Sequence, residues 1–431
     1  MIDLSYMKLL YSGGVLVFLF LVNYFFVFSE PVFRYGYDYG FYHHTLQHLG
    51  NLGVYGVWGD YTNALFFLNY LFGLSPEIFL TILLILGSTT TAYFLYKYVP
   101  DKKRGLSIAA LFLISPWNLE MGYQFLLKTA LGLPLVLGAI YFYEKKKYWH
   151  VILMLGLLLL THRTSLIVAA GVILVDFIIR QRSIRKISLA ILGGAALAGI
   201  GAYLRPDLVS GILSNNNKYV GAGIFLFGQN IWVIILPLII GLGIMVWNTY
   251  KTNIRWTVWG TGSVLLIIWL ILQLPFHNRL VPYLAIFLLL VVAGIKDKRW
   301  FVGIASATLV FNLVFTNQLI NNKSPIATEE DVIEIQEVTE EYKPTVIAVD
   351  ANDATALWAW ALDSNVVAPG LFGDDKKYED WKNFWENRDQ INFLAEYKKP
   401  ILLYQRSYQI QGDVDKCLEQ VSNHFYLFDC K

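Results

Sequence analysis

Seven histidines and a few isolated Asp and Arg residues are the groups in this chain that could do chemistry. The richest stretch runs from Phe33 to Phe67 and reads FRYGYDYGFYHHTLQHLGNLGVYGVWGDYTNALFF. Arg34, Asp38 and Asp60 are its only charges, among six tyrosines and a tryptophan. Asp38 precedes a short helix-forming segment, 41–49. It could take a proton from an attacking hydroxyl as a general base, or cap that helix. His44 and His48 stand four residues apart on one helical face, a spacing that zinc ligands use, with His43, Asp38 or Asp60 as local completing groups. The other reading is an amphipathic helix in the interface plane, with Phe41, Thr45 and Leu49 on one side and polar rings facing water.

Two further stretches place cations beside apolar runs. Thr161–Ser165 reads THRTS. His162 and Arg163 there could clamp a phosphate, because guanidinium offers a planar fork of donors; a polar turn with a snorkelling Arg is the alternative. Pro275–Arg279 reads PFHNR, with His277 and Arg279 at the start of an apolar segment, where a helix N-terminus and an Arg both favour an anion. Lys128, Glu120 and Arg205 are secondary candidates, read first as interface anchors. Asp350, Asn352 and Asp353, and then Gly373, Asp374 and Asp375, follow expected strands; they read as turn and cap residues before ligand-binding ones. P-loop, strand-following GxGxxG, CxxC and HExxH motifs are missing from the sequence.

The elements that must hold these groups are mostly apolar. Of 431 residues, 56% are hydrophobic and 15% charged, against about 25% charged in soluble domains. Mean hydropathy is +0.48. A net charge of +2 without a dense basic tail argues against a nucleic-acid partner. A spanning helix needs about 20 mostly apolar residues. Eleven candidates run over 9–28, 77–97, 105–120, 127–143, 149–162, 165–180, 187–204, 223–248, 256–273, 280–295 and 300–320. The first is too long an apolar run, without a cleavage site, for a signal peptide. Sixteen Lys and Arg fall in the loops after the even-numbered segments and six in the alternate loops. Positive charge stays cytoplasmic, so the N-terminus is expected inside, with residues 29–76 and 321–431 outside. Apart from His150, every histidine then falls on the outer side.

The expected fold is an α-helical polytopic membrane protein, residues 1–320, followed by a small extracytoplasmic α/β domain, residues 321–431. In that tail the sequence predicts helices over Thr328–Tyr342, Thr355–Leu362, Tyr378–Tyr397 and Val414–Val421. It predicts strands over Thr345–Val349, Asn365–Ala368, Ile401–Tyr404 and His424–Phe428. Cys417 and Cys430 could form one bridge in an oxidising compartment.

This arrangement resembles the GT-C superfamily of membrane glycosyltransferases, which use polyprenyl-phosphate-linked sugars. The resemblance rests on four features. These are an uncleaved first helix followed by YGYDYGFYHH around Asp38, the short helix after it, the outer-side THRTS between short helices, and a C-terminal tail outside. The tail stretch Val349–Gly370 also looks like soluble domains of prokaryotic members. The resemblance implies Asp38 as catalytic base, Arg279 with His162, Arg163 and His277 on the lipid phosphate, and inversion at the anomeric carbon. It implies a lipid-linked sugar donor, an acceptor that is a lipid, glycan or protein, and a multi-pass place in the plasma membrane. The tail lacks the WWDYG motif of the oligosaccharyltransferase branch, and Asp38-x-Gly40 is not a DxD, so no metal or other cofactor is implied. Competing readings are a transporter or flippase, which needs a polar path through the midplane, a polysaccharide polymerase or ligase, and an assembly protein whose tail binds a partner. Asp176 is the clearest ionisable residue deep in a span, about one turn from Arg180.

Overall fold

The computed structural model describes residues 14–24, 39–47, 65–123, 126–180, 231–252, 258–272, 280–322, 327–343, 345–348, 356–357, 360–361, 365–367, 394, 397, 400–406 and 417–429. The helices are α1 Gly14–Tyr24, α2 Tyr39–Gln47, α3 Leu68–Phe72, α4 Pro76–Tyr98, α5 Lys102–Leu113, α6 Pro116–Tyr123 and α7 Leu127–Glu144. They continue with α8 Tyr148–Thr161, α9 Arg163–Arg180, α10 Ile231–Thr252, α11 Val258–Ile271, α12 Val281–Ala293, α13 Lys298–Asn322 and α14 Glu329–Tyr342.

Each described candidate segment is helical, because a helix satisfies the backbone internally wherever lipid surrounds it, even where Pro134 and Pro237 lie inside α7 and α10. The segment 187–204 lies outside the described residues. By length and composition, Pro76–Tyr98 and Lys298–Ile320 are each long and apolar enough to cross a membrane. The segment 105–120 is two helices rather than one. Pro116 disfavours a helical residue before it, and the Ser115 hydroxyl accepts the Asn118 N–H, starting a new helix.

At the centre is α12, whose residues are all buried, as expected of a helix apolar on every side. It packs against α5, α10 and α11, while α7 packs against α4, α8 and α9. Glycines allow two of these approaches: a Cβ at Gly87 would come 2.8 Å from the Ala130 backbone, and one at Gly262 would meet the Phe287 ring at 2.7 Å. Polar groups tie the bundle at fixed points. Asn23 of α1 donates to Ser88 Oγ (2.8 Å) and Thr89 Oγ1 (3.2 Å), and accepts from Asn118 Nδ2 (2.8 Å).

After α14, the strands β1 Thr345–Ala348, β2 Asn365–Val367, β3 Ile401–Tyr404, β4 Leu418–Gln420 and β5 Phe425–Phe428 form one sheet, in the order β2-β1-β3-β5-β4. β1 is parallel to β2 and β3, and β5 is antiparallel to β3 and β4. The chain is thus a helical polytopic protein with a small C-terminal α/β part. α14 starts on a capping box between Thr328 and Asp331. One expected helix is a strand instead: within Val414–Val421, Leu418–Gln420 pairs with β5. Three residues of edge pairing in a tight hairpin outweigh a short, weak helical pattern. The expected helix over 378–397 lies almost entirely outside the described residues.

Candidate polar sites at two depths

α2 begins immediately after Asp38. Tyr39, Tyr42, His43, Thr45 and Leu46 are all buried, so this helix is packed into the protein and does not lie on its surface. The sequence expectation differs because the cover comes from far along the chain: the Trp360 ring lies 5.9 Å from Tyr39 and 6.3 Å from His43. Below α2 is the first turn of α4. Ser75 caps it, Pro76 occupies its first position, and Glu77 reaches back to His43, with Nε2 2.8 Å from Oε1. His43 is 2% exposed and Glu77 38%. His43 Nδ1 is buried and has no hydrogen-bond partner among the described residues. Burial, and then the Glu77 charge, hold the Tyr39 phenol well above its ordinary range.

A second polar group lies deeper. α8 ends at Thr161, whose hydroxyl turns back onto the Leu157 carbonyl (2.7 Å), and His162 is extended. His162 Nδ1 lies 2.9 Å from Ser165 Oγ and 3.2 Å from Tyr283 OH, and the two hydroxyls are 2.5 Å apart. Ser165 is the third residue of α9 and Tyr283 the third of α12, so the first turns of two helices meet here. Helix N-termini carry partial positive charge and free N–H donors. Arg163 opens α9, and Arg279 is two residues before α12. The THRTS stretch therefore meets the first turn of α12, the helix that PFHNR precedes in the sequence. Gly132 makes room, since a Cβ there would clash with Ser165 Oγ. Gly132 is two residues beyond Ala130, which packs on Gly87, eleven residues into α4. At 1.5 Å per residue, this group sits about 16 Å below the start of α4.

Of the other candidates, His44 lies on α2, and its side chain and that of Arg163 are outside the described set. Asp38, His48, Asp60, Arg205, His277, Arg279, Asp350, Asn352, Asp353, Gly373, Asp374 and Asp375 also lie outside the described residues. Lys128 is half-buried on α7, and Glu120 is buried in α6, 1% exposed, rather than at an interface. Asp176 is closed in by Arg180 Nε at 2.6 Å, Tyr143 OH at 3.0 Å and Thr261 Oγ1 at 3.4 Å. This is a sealed cluster at the opposite end of α9 from Ser165.

Sequence reasoning passed over Glu77 and Tyr283. An acidic residue in a first helical turn is ordinary, and nothing local marks its partner 34 positions earlier. Asp331, Glu334 and His424 bring ligand atoms within 4.8 Å of one another. Those atoms are already engaged. Glu334 accepts from Ser422 Oγ (2.5 Å), the His424 N–H (2.8 Å) and His424 Nδ1 (2.7 Å). Arg406 lies 3.2 Å from Asp331. The cluster staples α14 to the β4–β5 hairpin. Cys417 is disulfide-bonded, and the chain has one other cysteine, Cys430.

Comparison with known proteins agrees with this architecture. The fold is similar to a cryo-EM structure of the arabinofuranosyltransferase AftD from Mycobacteria, with a TM-score of 0.56 and 13% sequence identity. The alignment covers 92% of this chain and 35% of that one, so this chain spans about a third of its length. The GT-C resemblance thus holds for the fold. No curated protein matches the chain. Residues 7–326, most of the helical part, match the EpsG family, and the chain belongs to that family.

Proposed function

We propose that this chain is a membrane glycosyltransferase that moves a sugar from a polyprenyl-phosphate-linked donor to an acceptor on the outer face. Asp38 takes the proton of the acceptor hydroxyl. The hydroxyl oxygen attacks the anomeric carbon from the side opposite the phosphate. The bond from that carbon to the phosphate oxygen breaks, its electron pair leaves with polyprenyl phosphate, and the configuration inverts. Arg279, with His162, Arg163 and His277, neutralises the departing phosphate. His44, His48, Asp60, Lys128 and Arg205 stay secondary, and no metal is required.

The observation that carries this reading is the contact of His162, Ser165 and Tyr283. It sets the first turns of α9 and α12 together, an arrangement suited to an anion held within a membrane bundle; Arg163 and Arg279, next to those turns in the sequence, are the cations assigned to it here. EpsG membership favours a glycan acceptor, so that the enzyme extends an envelope polysaccharide. The disulfide at Cys417 supports a tail outside the cytoplasm, with residues 1–320 as the membrane module and 321–431 as the soluble one.

Native mass spectrometry of the protein in lipid tests the donor side. Polyprenyl phosphate and its hexose conjugate should bind saturably. Arg279→Ala should weaken that binding by about 1.5–3 kcal/mol, the worth of a charged hydrogen bond. A folded sample that binds neither lipid overturns the reading.

A further inference from the structure

His43, paired with Glu77, is a buried ionisable residue that the mechanism above leaves unused. Its hydrogen bonding is one-sided. A carboxylate only accepts, so with the ring neutral, Nε2 carries the proton and donates it to Glu77 Oε1 at 2.8 Å. Nδ1 is then a bare lone pair. It is buried, on a residue only 2% exposed, and has no hydrogen-bond partner among the described residues. Buried polar atoms are nearly always paired. A carboxylate behind a histidine fixes the tautomer and aims the other nitrogen, as it does behind metal-bound and catalytic imidazoles.

We infer that His43 is an acceptor-binding residue: Glu77 holds it so that Nδ1 accepts a hydrogen bond from a hydroxyl of the acceptor sugar, beneath Trp360. The inference rests on the glycosyl-transfer reading and names the acceptor side of the same site. The chemistry of the pair selects the ligand. A lone pair needs a donor, which an ionised phosphate is not. The Glu77 carboxylate on the far side of the ring also repels an anion. The lipid phosphate therefore belongs to the deeper group around His162, and a neutral hydroxyl belongs here. Tyr39 and Trp360 lie 5.5 Å and 6.3 Å from the imidazole and offer apolar ring surface around one polar atom, the usual make-up of a small-ligand site. Asp38 immediately precedes the same helix, so the proposed base and this group are carried by one short element. Trp360 comes from the C-terminal part, between β1 and β2. That part therefore contributes to acceptor binding.

Two substitutions separate the two ring nitrogens. In His43→Gln the amide nitrogen reaches the place of Nε2 and keeps Glu77, with nothing at the place of Nδ1. His43→Asn does the reverse. Purified full-length protein in lipid is given a lipid extract containing polyprenyl-phosphate-linked sugar, and glycan from the source cells is titrated as the acceptor probe. His43→Gln should raise the acceptor KM by about tenfold, the loss of one buried hydrogen bond. Polyprenyl phosphate binding and the thermal midpoint should stay unchanged, and His43→Asn should keep more of the acceptor affinity than His43→Gln. Trp360→Leu, which keeps apolar bulk, should raise the acceptor KM alone, and it serves where the His43 variants do not fold. An unchanged acceptor KM in His43→Gln or in Trp360→Leu overturns the inference. So does a loss of lipid binding and thermal midpoint in parallel with acceptor use. Wild-type protein that transfers nothing overturns the glycosyl-transfer reading itself, and this one with it.

Discussion

Two histidines in this protein lean on a glutamate at almost the same distance, and they differ in everything else. His43 meets Glu77 at 2.8 Å, and His424 meets Glu334 at 2.7 Å. Around His424 the carboxylates have work inside the protein: Glu334 also takes the Ser422 hydroxyl and the His424 N–H, and Arg406 answers Asp331. His424 is 29% exposed, so water reaches what the protein does not satisfy. Around His43 the second nitrogen is buried and, among the described residues, bare. A closed network rigidifies, whereas a one-sided pair sealed under aromatic rings carries a cost that a ligand can relieve. The same dyad is thus a staple in the C-terminal part and a binding group at the mouth of the bundle.

Changes around α2 should strike turnover, and changes around His424 should strike only local stability. The largest effect is expected next to the one-sided pair. Asp38→Asn removes the proposed base while keeping its size. Turnover should fall by about 10²–10⁴-fold, the usual contribution of general-base catalysis. Binding of polyprenyl phosphate, measured by native mass spectrometry, should be unchanged. Near-normal turnover would take the chemistry away from α2 and leave His43 without a partner in the reaction.

An intermediate effect is expected at the deeper group, which separates donor from acceptor. Gly132→Ala pushes a methyl group into Ser165 Oγ, which is itself pinned by His162 and Tyr283. Overpacking of this kind costs about 1–3 kcal/mol. The variant should lower the thermal midpoint and weaken polyprenyl phosphate binding together, with the acceptor KM unchanged. Adding Ser165→Ala removes the clashing oxygen and should restore part of the midpoint without restoring lipid binding. Recovery of both would mean that the hydroxyl cluster shapes the bundle and does not serve the phosphate.

The difference between the two regions also marks what could be read from residues alone. Long apolar runs locate the helices, because lipid admits few other backbone arrangements. The capping box at Thr328 and the buried run at Ile401–Tyr404 are equally local. THRTS and PFHNR stand out as charge beside apolar sequence, yet the contact of His162 and Ser165 with Tyr283 depends on how α9 and α12 are rotated, which no single segment encodes. The pairing of His43 with Glu77 spans 34 residues, and its Trp360 cover comes from the other end of the chain. The break at Ser115–Pro116 is written in the sequence as a proline after a capping residue, but the apolar run on both sides hides it. β4 is three residues of edge strand whose only evidence is its neighbour β5.

The smallest effect should come from the closed pair. Glu334→Gln removes the charge that three donors share while keeping an amide of the same shape. His424 is 29% exposed and Glu334 12%, so water and the remaining hydrogen bonds offset most of the loss. About 1 kcal/mol should remain. It should appear as faster hydrogen exchange in the β4–β5 hairpin, first at the His424 amide, whose acceptor is Glu334 Oε1. Acceptor KM, turnover and lipid binding should all hold at wild-type values, because the hydrogen bonds of the staple run between α14 and the β4–β5 hairpin. Turnover that fell as it does in Asp38→Asn, with the hairpin amides still protected, would erase the contrast: a fully satisfied His–Glu pair would then be reporting chemistry, and hydrogen-bond completeness would no longer distinguish the two.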